Sequence, residues 1–374
     1  MSGKGRTKIM GKIKVGLLFG GKSSEHEVSL QSAKNIMEAV DHERYEVTLI
    51  GIDKQGGWHL SSPDEYLIHE NHPDKIELYK SNKNVAVVPG RVKDQIVHVT
   101  GSEALDQLDV IFPILHGPLG EDGSVQGMIR MANLPYVGPN VLSSAVCMDK
   151  DITKKLLQSA GFQVADWLTV KRSASSAPSF EEVENNLGVP FFIKPANQGS
   201  SVGVSKIRTE AEYKEGLDKA LQYDHKVMIE AFVEGREIEC AVLGNDHPAA
   251  STAGEVLPNS DFYSYETKYI DENGASLKIP ADLDETVMED IRIQSVQAFE
   301  ALECQGLARV DFFLKENGEL IINEVNTLPG FTKISMYPKL WEASGISYPK
   351  LIEKLLDLAI ERHHQDQALK NTVD

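Results

Sequence analysis

LARVDFFLKENGELIINEVNTLPGFT, residues 307–332, decides the fold. Two apolar runs, Leu307 to Leu314 and Leu320 to Val325, flank Glu316-Asn317-Gly318, a turn that sends the chain back on itself as a hairpin. Side chains alternate between the faces of a strand, so Arg309 and Asp311 share one face, and Glu324 and Asn326 likewise share one. Three oxygen-bearing side chains and a cation thus converge within otherwise apolar strands. Hard oxygen donors of this kind suit Mg²⁺ bridging nucleotide phosphates. Alternation alone does not separate this from the solvated outer face of an antiparallel sheet. Next comes Thr327-Leu328-Pro329-Gly330-Phe331-Thr332, where Gly330 lets backbone approach a ligand and offers its amide to an oxyanion. Read singly, it is a plain strand-to-helix loop.

Working upstream, Lys194-Pro195-Ala196-Asn197-Gln198-Gly199-Ser200-Ser201-Val202-Gly203 ends a strand on a lysine and turns on small residues. Such a loop frees backbone amides and hydroxyls to close over phosphate oxygens, with Lys194 as a point charge. The Gly-Lys-Ser/Thr ending of a Walker A loop is absent, and a flexible hairpin is the plainer account. Glu230 to Glu237 begins at the end of another apolar strand. There the backbone of Ala231, Phe232 and Val233 is placed to read an adenine edge, and Glu230 and Glu237 to bind amino and ribose hydroxyl groups; exposed turn carboxylates are the competing account. His116-Gly117-Pro118-Leu119-Gly120-Glu121-Asp122-Gly123 and Gly20 to Glu25 each follow a strand, so both loops face one cleft at the carboxyl ends of a parallel sheet. The glycine spacing at 20–25 fails the dinucleotide fingerprint.

The remaining pattern predicts an α/β region over 13–148, with strands at Ile13 to Phe19, Tyr45 to Ile52 and Leu108 to Leu115 and helices between or after them. A smaller α+β unit over 149–238 follows, then 239–374, with a polar, aromatic stretch at 259–274 and a long helix from Leu283 to about Leu302. Residues 1–12 read as a flexible tail. A net charge of -18 argues against duplex DNA or an anionic membrane as the main partner. No apolar run approaches the roughly 20 residues of a membrane helix, and no signal-peptide core follows the basic start. Cys147, Cys240 and Cys304 have no paired spacing, which suits a reducing compartment.

Taken together, the segments at 20–29, 116–123, 194–203 and 324–332 resemble the ATP-grasp superfamily, and within it the D-alanine–D-alanine ligases, over residues 13–365. The resemblance implies an ATP-grasp fold preceded by a parallel α/β domain, and ATP-dependent joining of two D-alanine molecules through an acyl phosphate, for peptidoglycan precursor synthesis. It implies that Lys150, Lys194, Ser200 and Ser201 contact ATP phosphates, and that Glu230, Ala231, Phe232, Val233, Glu237, Lys268 and Asn323 complete the nucleotide site. Asp311, Glu324 and Asn326 would ligate two Mg²⁺ ions, with Mn²⁺ as a substitute. Glu25 would take the first D-alanine's ammonium and His116 would lie near its carboxylate, while Ser335 and Met336 receive the second. Arg309 and the Gly330 amide would hold the tetrahedral oxyanion. Tyr269, on a lid at 259–274, would bond Ser200, itself linked to Glu25. A cytoplasmic homodimer without nucleic-acid or membrane partners is implied as well. Intact Tyr269 and Ser335-Met336-Tyr337-Pro338 look like the D-alanine type, whereas Lys333 departs from some relatives. The alternatives are a D-lactate or D-serine acceptor, or a nucleotide-binding module that ligates nothing.

Overall fold

The structure is a computed structural model that describes residues 11–73, 75–100, 105–174, 176–258 and 275–370. In the N-terminal sheet, Ile13–Gly20 lies between Tyr45–Ile52 and Val110–Leu115, all parallel. Val15, Leu17 and Phe19 enter the core beneath the helix His26–Ala39, while Leu18 enters the core on the opposite face. A strand buried on both faces reads as the near-continuous apolar run seen here. Two features differ from expectation. Trp58–Ser61 adds an antiparallel edge to Tyr45–Ile52. Between Ile52 and Val110 the described residues form no helix but two short antiparallel pairs, Leu67–Ile68 with Glu77–Leu78 and Val85–Val87 with Ile96–His98. Gly56-Gly57, Pro63, Pro73 and Pro89-Gly90 interrupt that stretch too often for a helix to persist.

The central sheet is antiparallel, in the order Ser205–Ile207, Phe191–Pro195, Lys226–Ala231, Trp167–Lys171. Helices Phe180–Leu187 and Glu210–Tyr223 cover one face and share a core with Phe191, Ile193, Val227 and Ile229. Each helix starts in a capping box, Ser179 with Glu182 and Thr209 with Glu212, which satisfies amide donors that a helix start otherwise leaves unpaired.

The C-terminal sheet is also antiparallel, in the order Ala275–Lys278, Ala249–Pro258, Arg236–Gly244, Gly306–Leu314, Leu320–Asn326. The expected division between residues 238 and 239 falls inside Arg236–Gly244, which pairs with Gly306–Leu314 along its whole length. Arg236 to Ile238 therefore belong with this sheet. Helix Glu285–Ala301 packs Ile291, Ala298 and Phe299 onto one face. Helices Met336–Ala343 and Tyr348–Gln367 return to the N-terminal sheet, where Leu340, Leu351 and Leu355 join the core of Val15 and Phe19. Each fully buried aliphatic side chain of this kind contributes about 1.5–3 kcal/mol. Buried Arg362 seals the junction by donating to the carbonyls of Tyr136, at 2.8 Å, and Gly138. Among the described residues no helix is long and apolar enough to cross a membrane.

Candidate active site

The hairpin forms as its alternation requires. Arg309 pairs across with Asn326, and Asp311 with Glu324, just before a register shift at Phe312. Val310 and Phe312 turn into the core beneath helix Glu285–Ala301, which leaves the polar face to the cavity. Arg309 grips both oxygens of Asp311 at 2.7 Å, and the Asn326 amide reaches Asp311 Oδ2 at 2.9 Å. Glu239 stands opposite Asp311 on the neighbouring strand and holds Arg309 Nε at 2.8 Å. Two carboxylates and an amide meeting at one face are the hard-donor chemistry that fits a divalent cation beside phosphate.

Facing this sheet is a cluster of lysines. Lys194 and Glu230 lie on adjacent central strands, with Lys194 Nζ 2.6 Å from Glu230 Oε2. The other carboxylate oxygen holds Lys154 Nζ at 2.7 Å. Burial pushes the Glu230 carboxyl up, but the two ammoniums outweigh it and leave its pKa below the ordinary value. Burial also dominates Lys154 and lowers its pKa despite Glu230. Lys150 bridges the two sheets, since its ammonium donates to the Gln198 carbonyl at 2.6 Å and lies 3.7 Å from Glu324 Oε2. Between them is a cavity of about 360 Å³ that Lys150, Lys194, Phe232, Glu237, Asp311 and Glu324 help to line. At its rim Lys206 sits 4.4 Å above the ring of Phe232.

A second group gathers where the N-terminal loops meet the end of the hairpin. The Ser200 hydroxyl donates to Glu25, which is 5% exposed, and Ser200 and Ser201 adopt left-handed backbone at φ 49° and 60°. Non-glycine residues pay for that conformation, and such strain concentrates in ligand-covering loops. His116 Nδ1 bonds the Leu328 carbonyl at 3.0 Å, while burial holds its pKa down at about 4. Glu121 accepts from the amides of Gly117, at 2.6 Å, and Leu328, at 3.3 Å. Burial, then repulsion from Glu25, pushes its carboxyl up to about 8. Phe331 is pinned at both ends of its peptide: its amide donates to Ser32 Oγ at 3.2 Å, and its carbonyl accepts from Asn35 at 3.2 Å and Tyr348 at 2.8 Å. Gly330 lies between these fixed units, where a Cβ would meet Ser335 Oγ at 2.7 Å.

Family models described as D-ala D-ala ligase N-terminus and C-terminus match residues 14–139 and 156–357. The chain belongs to the D-alanine–D-alanine ligase family. It is 63% identical over 364 residues, 97% of this chain and 99% of the relative, to a D-alanine–D-alanine ligase of Shouchella clausii. Among solved structures, the D-alanine-D-alanine ligase of Coxiella burnetii is similar at 38% identity and a TM-score of 0.81, covering 95% of this chain and 96% of that one. VanG D-Ala:D-Ser ligase of Enterococcus faecalis is similar at 34% identity and the same TM-score, covering 93% and 100%.

Of the residues expected for this ligase family, Lys150, Lys194, Ser200, Ser201, Glu230 to Val233, Glu237, Arg309, Asp311, Asn323, Glu324 and Asn326 line this same cavity. Glu25, His116, Gly330, Ser335 and Met336 do not line it, although Glu25 is joined to its wall through Ser200. The Met336 side chain is buried in the core, where a Cβ on Gly254 would meet its sulfur at 2.8 Å, so what Met336 can offer a ligand is backbone. Lys268 and Tyr269 lie outside the described residues. Three residues escape the sequence reading as functional groups. Lys154 sits one helical turn after Lys150 and so shares its face, Glu239 alternates with Glu237 on a strand, and Glu121 lies within the quoted 116–123 segment. Although far apart in sequence, Cys147 and Cys304 meet with sulfurs 3.8 Å apart, too long for a disulfide.

Proposed function

We propose that the chain joins two D-alanine molecules into D-alanyl-D-alanine at the expense of ATP. The observation that carries this reading is a single cavity with the Asp311, Glu324 and Asn326 donors on one wall and Lys150 and Lys194 on the other. Asp311, Glu324 and Asn326 would hold two Mg²⁺ ions, for which Mn²⁺ could substitute, and these supply positive charge to the phosphates when bound. Adenine and ribose fit the segment from Glu230 to Glu237, with Asn323 and Lys268 completing the nucleotide contacts.

Glu25, held by Ser200, takes the ammonium of the first D-alanine, and His116 lies near its carboxylate. That carboxylate attacks the γ-phosphorus, ADP leaves, and an acyl phosphate forms. A second D-alanine, received by Ser335 and the backbone of Met336, attacks the acyl carbon through its amine once that amine has lost a proton. Arg309 and the Gly330 amide stabilise the tetrahedral oxyanion, whose collapse expels inorganic phosphate and leaves the peptide bond. The family resemblance gives Tyr269, which lies outside the described residues, a bond to Ser200 that would help keep water from the acyl phosphate.

The same reading makes the chain a cytoplasmic homodimer that serves peptidoglycan precursor synthesis, with parts that begin at residues 13 and 149 and a C-terminal part that begins at Arg236 rather than at 239. Incubation with ATP, Mg²⁺ and D-alanine is expected to yield dipeptide and ADP in equal amounts; ADP without dipeptide would refute it. The likeness to a D-Ala:D-Ser ligase makes acceptor choice a separate question, and D-serine and D-lactate offered beside D-alanine are each expected to be joined more slowly.

A further inference from the structure

Glu230 is 4% exposed and touches two ammonium groups, one more than its single charge requires. The two lysines are not equivalent. Lys194 is 12% exposed at its side chain and lines the cavity. Lys154 is 1% exposed, does not line the cavity, and among the described residues has Glu230 as its only ion-pair partner. Other charged groups on the same helix are engaged elsewhere: Lys150 with Gln198 and Glu324, and Asp151 with Trp167, Thr169, Lys155 and Lys226. Trp167, which pairs with Glu230 from the far strand, is uncharged.

A buried carboxylate stripped of its counter-charge is strongly disfavoured. If Lys194 is to turn from Glu230 to an arriving phosphate, another cation must remain behind. We propose that Lys154 is a positioning residue of the nucleotide site, the permanent counter-ion of Glu230 that frees Lys194 to engage the phosphates of ATP. The inference rests on the reading of the cavity as the ATP site. It accounts for the second lysine and for the division between a sealed ammonium and one that faces the cavity.

The test is a cycle of Lys154→Met, close to lysine in shape but uncharged, with Glu230→Gln, read as KM for ATP and kcat at saturating D-alanine. In K154M, Lys194 must stay with Glu230, so KM for ATP is expected to rise about tenfold to a hundredfold while kcat changes less than about threefold. With the carboxylate already neutral, adding K154M to E230Q is expected to change KM less than about twofold. An equal rise in both backgrounds would mean that Lys154 only packs, and an unchanged KM in K154M alone would mean that it does nothing for the nucleotide; either overturns the proposal. Should K154M fail to fold, the comparison of E230Q with the double variant decides, since both lack the buried carboxylate, and a KM difference beyond about fivefold overturns it. Lys194→Met separates the two layers of the argument. An unchanged KM for ATP in K194M refutes the ATP-site reading itself, whereas a raised KM there beside an unchanged one in K154M refutes only the role of Lys154.

Discussion

The two halves of the site are held by different kinds of bond. On the nucleotide side the ties are ion pairs between side chains: Lys150 with Glu324, Lys154 and Lys194 with Glu230, and Arg309 with Asp311. Around Gly330 the ties run from side chains to backbone: His116 and Glu121 clamp the Leu328 peptide unit, and Ser32, Asn35 and Tyr348 clamp Phe331. An ammonium can trade one anion for another when a triphosphate arrives. A peptide carbonyl held by two donors does not trade. On the proposed roles, the nucleotide side would rearrange on binding and the Gly330 side would be in place beforehand, as an oxyanion donor must be if it is to lose nothing to reorganisation.

The harshest way to break that comparison is Glu324→Gln. Removing one of two carboxylates from the proposed cation site, while leaving the hairpin register intact, is expected to lower kcat at least about a thousandfold with little change in melting temperature. Measured kcat within tenfold of the unaltered enzyme would remove Glu324 from the metal set. The fixed side is broken instead by Asn35→Ala, which leaves the Phe331 carbonyl to Tyr348 alone. A loosened Gly330 amide is expected to lower kcat about tenfold to a hundredfold with KM for ATP unchanged, because misplacement of a donor affects the transition state more than the ground state. A rise in KM for ATP of the same size would show that the two sides are not separable.

How much of this was legible follows from sequence distance. The hairpin is legible because its strands, its turn and its alternating charges lie in one short stretch, so register follows from a local pattern. Glu239 is not, since the strand that carries it pairs with Gly306–Leu314 across two intervening strands and the helix Glu285–Ala301, and its neighbour Ala249–Pro258 is rich in Ala, Gly and Ser, which signal strand weakly. Lys154 is hidden for another reason. A lysine in a polar helix reads as solvated, and only the arrival of Glu230 from a distant strand makes its burial tolerable. The clamps on Phe331 are likewise invisible locally, because Ser32 and Asn35 come from the opposite end of the chain. What the family resemblance supplies is the order of the loops and the link between Ser200 and Glu25, not the other partners that hold them.

The fixed side also carries a proton signature. Glu121 is raised to about 8 in the folded chain, so between its ordinary value and 8 the folded state binds more protons than the unfolded state, and stability is lost as pH rises. His116, lowered to about 4, works in the opposite direction: the unfolded chain binds the extra proton between 4 and 6.5, and stability is gained with rising pH there. The two oppose each other up to about 6.5, and above that Glu121 acts alone. Between about pH 6.5 and 8, denaturant titrations are expected to show Glu121→Gln gaining roughly 1–2 kcal/mol relative to the unaltered chain. Parallel pH profiles for the two proteins would mean that Glu121 titrates normally and that its amide partners, rather than burial, set its charge.

The smallest expected effect lies at the rim of the exchanging side and sharpens the comparison. Lys206 stands over the ring of Phe232, a residue 41% exposed, and it lies on the edge strand of the central sheet, two strands from Glu230. A cation over a half-exposed ring contributes about 0.5–1 kcal/mol, so Lys206→Met is expected to raise KM for ATP roughly twofold to fivefold by freeing the ring that would wall the adenine in the proposed site. The same variant should leave kcat alone, because among the described residues no bond from Lys206 reaches the hairpin or the Gly330 loop. A rise in KM beyond about a hundredfold would exceed what a ring contact can supply and would make Lys206 a phosphate ligand in its own right. The exchanging side would then extend from the buried lysines to the cavity mouth, and only the clamps around Gly330 would remain fixed.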